Sequence, residues 1–192
     1  MSERLPIFAL HSVLMPGGTL TLQVFETRYL DMVSACMREE RPFAVNLIHQ
    51  GREVGDAAQV FPTGTTARVV DWTQLPNGLL GLTLLGERRF HGQALEADAR
   101  QLLSCAPEWL PEDKALPLRE HDEHLASLLL TLSQHPSAPL RVTQELLDDA
   151  AWVGWRLTER LPVPLELKQQ VLQLDEPYER LDLLHRTLRR LA

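Results

Sequence analysis

Lysine is almost absent from this chain of 192 residues, in which only Lys114 and Lys168 occur. The arginines are scattered, apart from the pairs Arg88-Arg89 and Arg189-Arg190. In total 19 basic residues face 26 acidic ones, which gives a formal net charge of −7 at pH 7. Nucleic-acid backbones are bound by clustered lysine and arginine, so this balance disfavours a nucleic-acid partner.

The chain also lacks long apolar runs, a secretory signal and paired cysteines. No stretch approaches the ~20 apolar residues of a membrane span, and residues 1–6 lack the basic start and apolar core of a signal peptide. Cys36 and Cys105 form no C-x-x-C pair, which argues against a zinc knuckle or a redox motif. Two buried free thiols are the simpler interpretation, although one disulfide is compatible with the sequence. We therefore expect a cytoplasmic protein without a membrane partner.

Motifs for catalysis or for a cofactor are missing as well. Neither lysine follows the glycine-rich loop G-x-x-x-x-G-K-[ST] that cradles phosphate. His121 and His124 would share a helix face, but the sequence offers no third metal ligand beside them. A solvated, charged helix start is the favoured interpretation of this pair. The sequence therefore predicts no enzyme, no metal and no cofactor.

The first half of the chain has the short apolar runs and turn residues of a β-rich domain. Asn77-Gly78 supplies the positive φ angles that a tight hairpin turn requires. One helix interrupts the strands, since apolar residues recur at helical spacing over 27–39 before Pro42 ends it. Strands are predicted at Thr19–Val24, 43–48, 65–72 and 79–85, and from 88 to about 97.

The second half changes to helical periodicity. Leucines fit one helix face over 117–133, and Pro136 and Pro139 break the pattern. Thr143 is predicted to cap a second helix. A shorter helix follows over 165–174, and Asp175 is predicted to cap the last one. The apolar stripe of the second helix consists of Leu146, Ala150, Val153 and Leu157, and that of the last helix of Leu181, Leu184, Leu188 and Leu191.

Several short motifs follow one another in a fixed order along the chain. Residues 5–10 read LPIFAL, residues 13–17 VLMPG, and residues 20–33 LTLQVFETRYLDMV. Further on stand GREVG at 51–55 and GERRF at 86–90, and the helical half adds WRL at 155–157, LP, KQQ and LQLD at 172–175. This order resembles the Lon protease N-terminal domain family over nearly the whole chain. Three positions depart from the family pattern, namely Ala9, Met15 and Asp56.

The resemblance implies an α+β fold. A PUA-like β pseudo-barrel with one inserted helix would occupy residues 1–110, and a C-terminal helical bundle would occupy 111–192. In the full protease this domain recognises and positions unfolded or tagged substrates for the ATPase. No segment here resembles the serine-lysine peptidase of that protease.

The resemblance therefore implies a non-catalytic binding module whose partner is unfolded or extended polypeptide, or a protein that it serves as an adaptor. The alternative is a PUA-like small-ligand or RNA-binding protein, because related barrels bind RNA. The acidity of the chain argues against RNA. A basic stripe around Arg88, Arg89 and Arg100 would support RNA binding.

Candidate binding residues cluster where the strand at 19–24 meets the first helix. As a recognition edge, this junction would offer Phe25 as an aromatic anchor and Arg28 as a partner for carboxylates. In the structural interpretation, Glu26 caps the helix while Arg28 and Tyr29 fasten it to the barrel. The same two interpretations apply to Arg89. Trp155, three residues after Trp152, either belongs to the core or lines an apolar cleft. The candidate substrate-binding residues are Phe25, Glu26, Arg28, Tyr29, Arg89 and Trp155.

Overall fold

A computed structural model describes residues 4–134 and 140–191 of the chain. The backbone divides into two units, Met1–Leu110 and Pro111–Ala192. Strands dominate the described part of the first unit, with one helix between the second and third strand. The elements are β1 (Leu5–Leu10), β2 (Thr19–Val24), α1 (Thr27–Arg38), β3 (Phe43–Gln50), β4 (Gln59–Val60), β5 (Thr63–Gln74), β6 (Leu80–Ala97) and β7 (Leu103–Trp109).

The sheet of the first unit closes on itself. Neighbouring strands follow the order β1-β7-β6-β5-β3 in antiparallel pairs, and a parallel pairing of β1 with β3 completes the circle. In that parallel pair Ile7 lies opposite Ala44 and Leu10 opposite Leu47. Among the described strands, β2 pairs with β6 alone and lies outside the circle. The first unit is therefore a small barrel with one strand added at its rim.

Helix α1 covers one end of the barrel core. Its apolar face buries Tyr29, Met32, Val33 and Cys36 among residues of the strands. The Tyr29 ring stacks on the Phe8 ring, with 4.1 Å between their centroids. Burial of each such side chain contributes roughly 1.5–3 kcal/mol to stability. This packing fixes the start of α1 against β1.

The predicted strands are present, but two of them form one strand, and three observed strands are not predicted. The strands predicted at 79–85 and 88–97 are one continuous strand of 18 residues, β6. The prediction of two separate strands is wrong, because β6 is continuous and its neighbour on one edge changes from β2 to β7 along its length. Gly86 permits this crossing, since a Cβ there would lie 2.3 Å from the carbonyl oxygen of Met15. The periodicity does not predict β1, which is buried at every position and so lacks alternation. It also does not predict β7 or the two-residue strand β4.

The described helices of the second unit follow the predicted order but differ in their bounds. A 3-10 turn, Glu120–Asp122, precedes the first helix, so the helix predicted over 117–133 is shorter. The last helix begins at Pro177, which corrects the prediction that Asp175 caps it directly. The break predicted at Pro136 and Pro139 lies outside the described residues. The helices are α2 (Glu123–Ser133), α3 (Gln144–Leu147), α4 (Ala150–Arg160), α5 (Leu165–Gln173) and α6 (Pro177–Leu191).

The single helix predicted after Thr143 is two helices. The Thr143 hydroxyl accepts a hydrogen bond from the Leu146 N–H at 3.4 Å and caps α3 as predicted. Asp149 then interrupts the helix, because its carboxylate accepts from the Ala151 N–H at 3.0 Å and caps α4. Such side-chain caps favour a new start over a continued helix.

The α+β fold class is confirmed, with a barrel-like sheet, one inserted helix and a helical C-terminal part. That the two units are separate domains stays a prediction. Cys36 and Cys105 are both free and buried, which confirms the interpretation without a disulfide. Within residues 4–134 and 140–191, no helix is long and apolar enough to cross a bilayer.

Candidate functional site

A groove of about 190 Å³ runs along β2 in the first unit. Residues 20–24 of β2 line one side, and Phe8 and Leu10 of β1 line the other, although β1 and β2 share no ladder. The stacked pair Phe8 and Tyr29 lies in its lining and is buried. Ser12, Glu26 and Glu53 supply polar groups to the same lining. The groove therefore combines an apolar floor with a polar rim.

The second edge of β2 is open. The Gly86 N–H donates to the Gly18 carbonyl at 2.8 Å. This bond shows which residues of β2 face β6 with their backbone groups in the antiparallel ladder, namely every second residue after Gly18. Because N–H and C=O groups alternate in direction along a strand, those of Thr19, Thr21 and Gln23 point away from β6. Among the described residues, no backbone group pairs with this edge. β2 is therefore an edge strand directly beside the groove.

Phe25 stands at the end of β2 and is 56% exposed. It lines the groove together with Glu26 and Tyr29. Large apolar side chains in soluble proteins are mostly buried, so an exposed aromatic beside an apolar groove is a feature of interaction surfaces. This placement agrees with the predicted role of Phe25 as an anchor, which stays a prediction.

Arg28 is buried and holds the start of α1 to two loops. Its guanidinium donates to the Gln101 carbonyl at 2.7 Å and to the Glu53 carbonyl at 3.2 Å. It also lies 3.1 Å from the Glu26 carboxylate and 4.7 Å from the centroid of the Tyr29 ring. Glu26 occupies the N-cap position of α1, but its side chain makes no cap hydrogen bond. The structural interpretation of Arg28 is thus supported by its contacts, while direct contact with a ligand stays a prediction.

Tyr29 is an uncharged part of the groove wall at neutral pH. Burial raises the pKa of its phenol, although the Arg28 guanidinium opposes the rise. Glu53, half-buried on the opposite rim, accepts a hydrogen bond from the His11 N–H at 2.6 Å. The carboxylates of Glu26 and Glu53 on the rim therefore both have partners within the protein.

The other two candidate residues do not line this groove. Arg89 is buried in β6, opposite Thr65 of β5. Trp155 belongs to the second unit, where its indole N–H donates to Asp113 at 2.5 Å. The Arg180 guanidinium lies 3.7 Å from the centroid of the Trp155 ring. These contacts explain the burial of Trp155, and binding roles for it and for Arg89 stay predictions.

Nine groove residues are absent from the sequence-based candidates: Phe8, Leu10, Ser12, Leu20, Thr21, Leu22, Gln23, Val24 and Glu53. Leu20 and Leu22 alternate with exposed residues along β2. The period-two pattern of the sequence therefore predicts that their side of the strand is partly buried. Phe8 and Glu53 lie on other segments, and nothing local in the sequence brings them to β2.

Two larger concavities lie elsewhere. One of about 460 Å³ adjoins the end of α1, and its Arg41 and Arg68 are paired with Glu39 and Glu87. The other, of about 470 Å³, lies between residues of α5 and α6. Neither contains a candidate residue, so the groove along β2 is the stronger candidate.

A barrel with one inserted helix, an open edge strand and a groove beside it defines the structural class of the first unit. The chain belongs to the family described as the ATP-dependent protease La (LON) substrate-binding domain, whose model matches residues 4–190. This result confirms the resemblance that the ordered motifs indicate.

Solved structures and curated relatives agree with this assignment. The crystal structure of a Lon N-terminal domain protein from Xanthomonas campestris is 38% identical, has a TM-score of 0.78, and covers 95% of this chain and 96% of that one. The N-terminal domain of a Mycobacterium avium complex Lon protease has a TM-score of 0.67 over 95% of this chain and 96% of that one. At 16% identity it supports the fold alone.

The curated relatives are much longer than this chain. Lon protease 1 of Hydrogenovibrio crunogenus is 25% identical over 92% of this chain, and Lon protease of Anaeromyxobacter dehalogenans is 28% identical over 97% of it. The matches span only 22% and 23% of those proteins. The similarity thus concerns the substrate-binding part of the protease.

Proposed function

We propose that this chain is a non-catalytic module that binds unfolded or extended polypeptide along β2. The observation that carries the proposal is the open edge of β2 directly beside an apolar-floored groove. Family membership supports polypeptide as the ligand class, because the matching family is the substrate-binding domain of a protease. The proposal does not extend the peptidase activity of the full-length relatives to this chain.

An extended peptide would bind by adding a strand to β2. Thr19, Thr21 and Gln23 present backbone donors and acceptors to it, and these contacts do not depend on the sequence of the peptide. Alternate side chains of the peptide would then point into the groove. A groove of about 190 Å³ suits such side chains, whereas a drug-sized ligand needs roughly 300 Å³ or more.

Phe25 would anchor the peptide at the end of the added strand. Aromatic side chains are enriched at protein interfaces because they bury a large apolar area with few rotatable bonds. Its exposure of 56% leaves most of that area available to a ligand. Glu26 and Glu53 already have internal partners. We therefore expect a preference for apolar residues in the bound segment, with a weak dependence on salt.

The alternative, an RNA- or small-ligand-binding protein, has less support. Of the arginines that would form a basic stripe, Arg89 is buried, Arg100 is 2.9 Å from Asp31, and Arg88 lies 4.6 Å from the Trp109 ring centroid. An acidic chain with so little clustered positive charge is a poor electrostatic partner for phosphate. RNA binding that weakens steeply with salt would favour this alternative.

The partner and the location stay proposals. An adaptor that passes unfolded chains to an ATPase or protease would use the same groove. Free, buried thiols at Cys36 and Cys105 support a reducing compartment such as the cytoplasm.

The proposal is tested by titrating the protein with fluorescent, extended apolar peptides. We expect micromolar binding, weakened about tenfold by Phe25→Ala, since loss of an interface aromatic costs on the order of 1–2 kcal/mol. Trp72→Ala is the matched control, because Trp72 is also exposed but lies outside the groove. Equal losses in the two variants, or no peptide binding by the folded protein, would contradict the proposal.

A further inference from the structure

In the helical unit, two histidines converge on one buried carboxylate. We propose that His121, Asp122 and His185 form a binding site for a divalent transition-metal ion of the zinc type. The ligand atoms that these side chains offer all lie within 4.8 Å of one another. His121 and Asp122 belong to the 3-10 turn before α2, and His185 belongs to α6. Folding thus supplies the third ligand that the sequence does not show beside His121.

The distances fit a zinc ion after a small adjustment. The Asp122 Oδ1 atom is 3.7 Å from His121 Nε2 and 2.6 Å from His185 Nε2. Zinc bonds of about 2.0–2.1 Å in tetrahedral geometry place ligand atoms about 3.3 Å apart. The contact with His185 is a hydrogen bond and would lengthen by roughly 0.7 Å. A shift of the His185 side chain would supply this, since Asp122 is fully buried and held by Arg119. The His121 side chain is 64% exposed, so an ion from solvent would meet this ligand first.

The donor set indicates the class of metal. Neutral imidazole and carboxylate ligands suit zinc and its neighbours in the first transition row, whereas magnesium and calcium require oxygen ligands. Three protein ligands leave a fourth position for water or for His124, whose ring lies 4.5 Å from that of His185. The hydrogen bond between Asp122 and His185 would be exchanged for bonds to the ion, and His185 would bind through Nε2 as the neutral tautomer that carries its proton on Nδ1.

Arg119 orients the carboxylate and does not neutralise the cluster. Its Nε atom donates to Asp122 Oδ2 at 2.6 Å, and its Nη2 atom donates to Asp122 Oδ1 at 3.3 Å and to Asp182 Oδ1 at 2.5 Å. One guanidinium therefore faces two carboxylates, which leaves an excess of negative charge next to the histidines. The bond of Arg119 to Oδ1 is the longer of the two, and Oδ1 is the oxygen that both histidines approach. Outer contacts of this kind commonly orient metal-binding carboxylates.

Metal binding would tie the start of α2 to α6. An ion that binds only the folded unit stabilises it by mass action. The proposed site is thus independent of the groove along β2, and a failure of either proposal leaves the other unaffected.

The test is zinc binding by the full chain after treatment with a chelator. Isothermal titration with zinc chloride is expected to show one equivalent bound, and cobalt(II) is expected to give the visible absorption of a tetrahedral site with nitrogen ligands. His121→Ala should weaken zinc binding at least tenfold. Because the His121 side chain is mostly exposed, this variant is expected to fold normally.

His11→Ala serves as the control, since His11 is exposed and belongs to the first unit. It should bind zinc as the wild type does. Zinc should also raise the unfolding temperature of the wild type and of this control, but not that of His121→Ala. Absence of zinc binding by the wild type, or equal affinity in His121→Ala, would overturn the proposal.

Discussion

At the scale of single residues, Arg180 illustrates how one buried cation organises the helical unit. Its side chain is fully buried, and its Nη1 atom donates to Asp113 Oδ2 at 2.7 Å while Nη2 also contacts that carboxylate. Two further bonds reach the carbonyls of Leu174 and Asp175, at 3.0 and 2.9 Å. The Trp155 indole covers the guanidinium and donates to the same carboxylate. The cation thus joins the chain before α2, α4 and the start of α6.

Replacement of Arg180 should therefore destabilise the protein strongly. Arg180→Ala is expected to lower the free energy of unfolding by about 3–5 kcal/mol, because it leaves the Asp113 carboxylate without its charged partner in a largely buried place. Urea unfolding followed by circular dichroism measures the change. Arg141→Ala, at an exposed position, should alter stability by less than about 0.5 kcal/mol. Equal stability of the two variants would refute this assignment.

The two cysteines should be unreactive in the folded protein. Burial raises the pKa of the Cys36 thiol and raises that of Cys105 to about 11. Since only the thiolate is nucleophilic, labelling by a thiol reagent at pH 8 should be slow for both residues. In denaturant both should react rapidly. Rapid labelling of either thiol under native conditions would show that the interior is open to solvent there.

At the scale of elements, β2 is the strand on which the proposed function depends. Proline is tolerated on an edge strand where the missing N–H faces away from the sheet, and it removes a donor for an added strand. Thr21→Pro should therefore fold but bind extended peptides at least several-fold more weakly. Thr21→Val retains the N–H and should bind as the wild type does. Peptide titration of the two variants, with circular dichroism as a folding check, distinguishes them. Undiminished binding by a folded Thr21→Pro would exclude strand addition at this edge.

Local signals predict most elements, and the differences have causes that the local pattern does not show. Alternation predicts β2, and Asn77-Gly78 predicts the turn between β5 and β6, because both depend on neighbouring residues. The continuity of β6 depends on the packing of Gly86 against Met15, which lies on another segment. The separate start of α4 depends on Asp149 as a cap, a residue that would also fit a helix interior.

The candidate site was predictable only where it follows a single segment. The sequence predicts residues 25–29 as a candidate site because the end of a strand, an aromatic residue, charged residues and the start of a helix follow one another there. The opposite wall, with Phe8 and Glu53, reaches β2 through the closure of the barrel. Folding over a long sequence separation also explains why the sequence shows His121 and Asp122 but not their contact with His185, which lies 63 residues beyond Asp122.

At the scale of the whole chain, we propose that the two units fold as separate domains. Each contains its own buried residues, in the barrel core for Met1–Leu110 and around Arg180 for Pro111–Ala192. Expressed separately, residues 1–110 should give a cooperative unfolding transition with the circular dichroism of strands, and residues 111–192 one with that of helices. A unit that is unfolded alone but regains structure when the other is added would contradict independent folding.

The proposed function requires that extended polypeptide adds a strand to β2. Hydrogen exchange read out at single amides, with and without an excess of an apolar peptide, tests this strand addition. Without peptide, the amides of Thr19, Thr21 and Gln23 should exchange rapidly, because they face away from β6, while those of Leu20 and Leu22 are protected by the ladder. With peptide, protection should appear at Thr19, Thr21 and Gln23. Peptide binding that leaves these three amides unprotected would contradict the account and place the binding surface elsewhere.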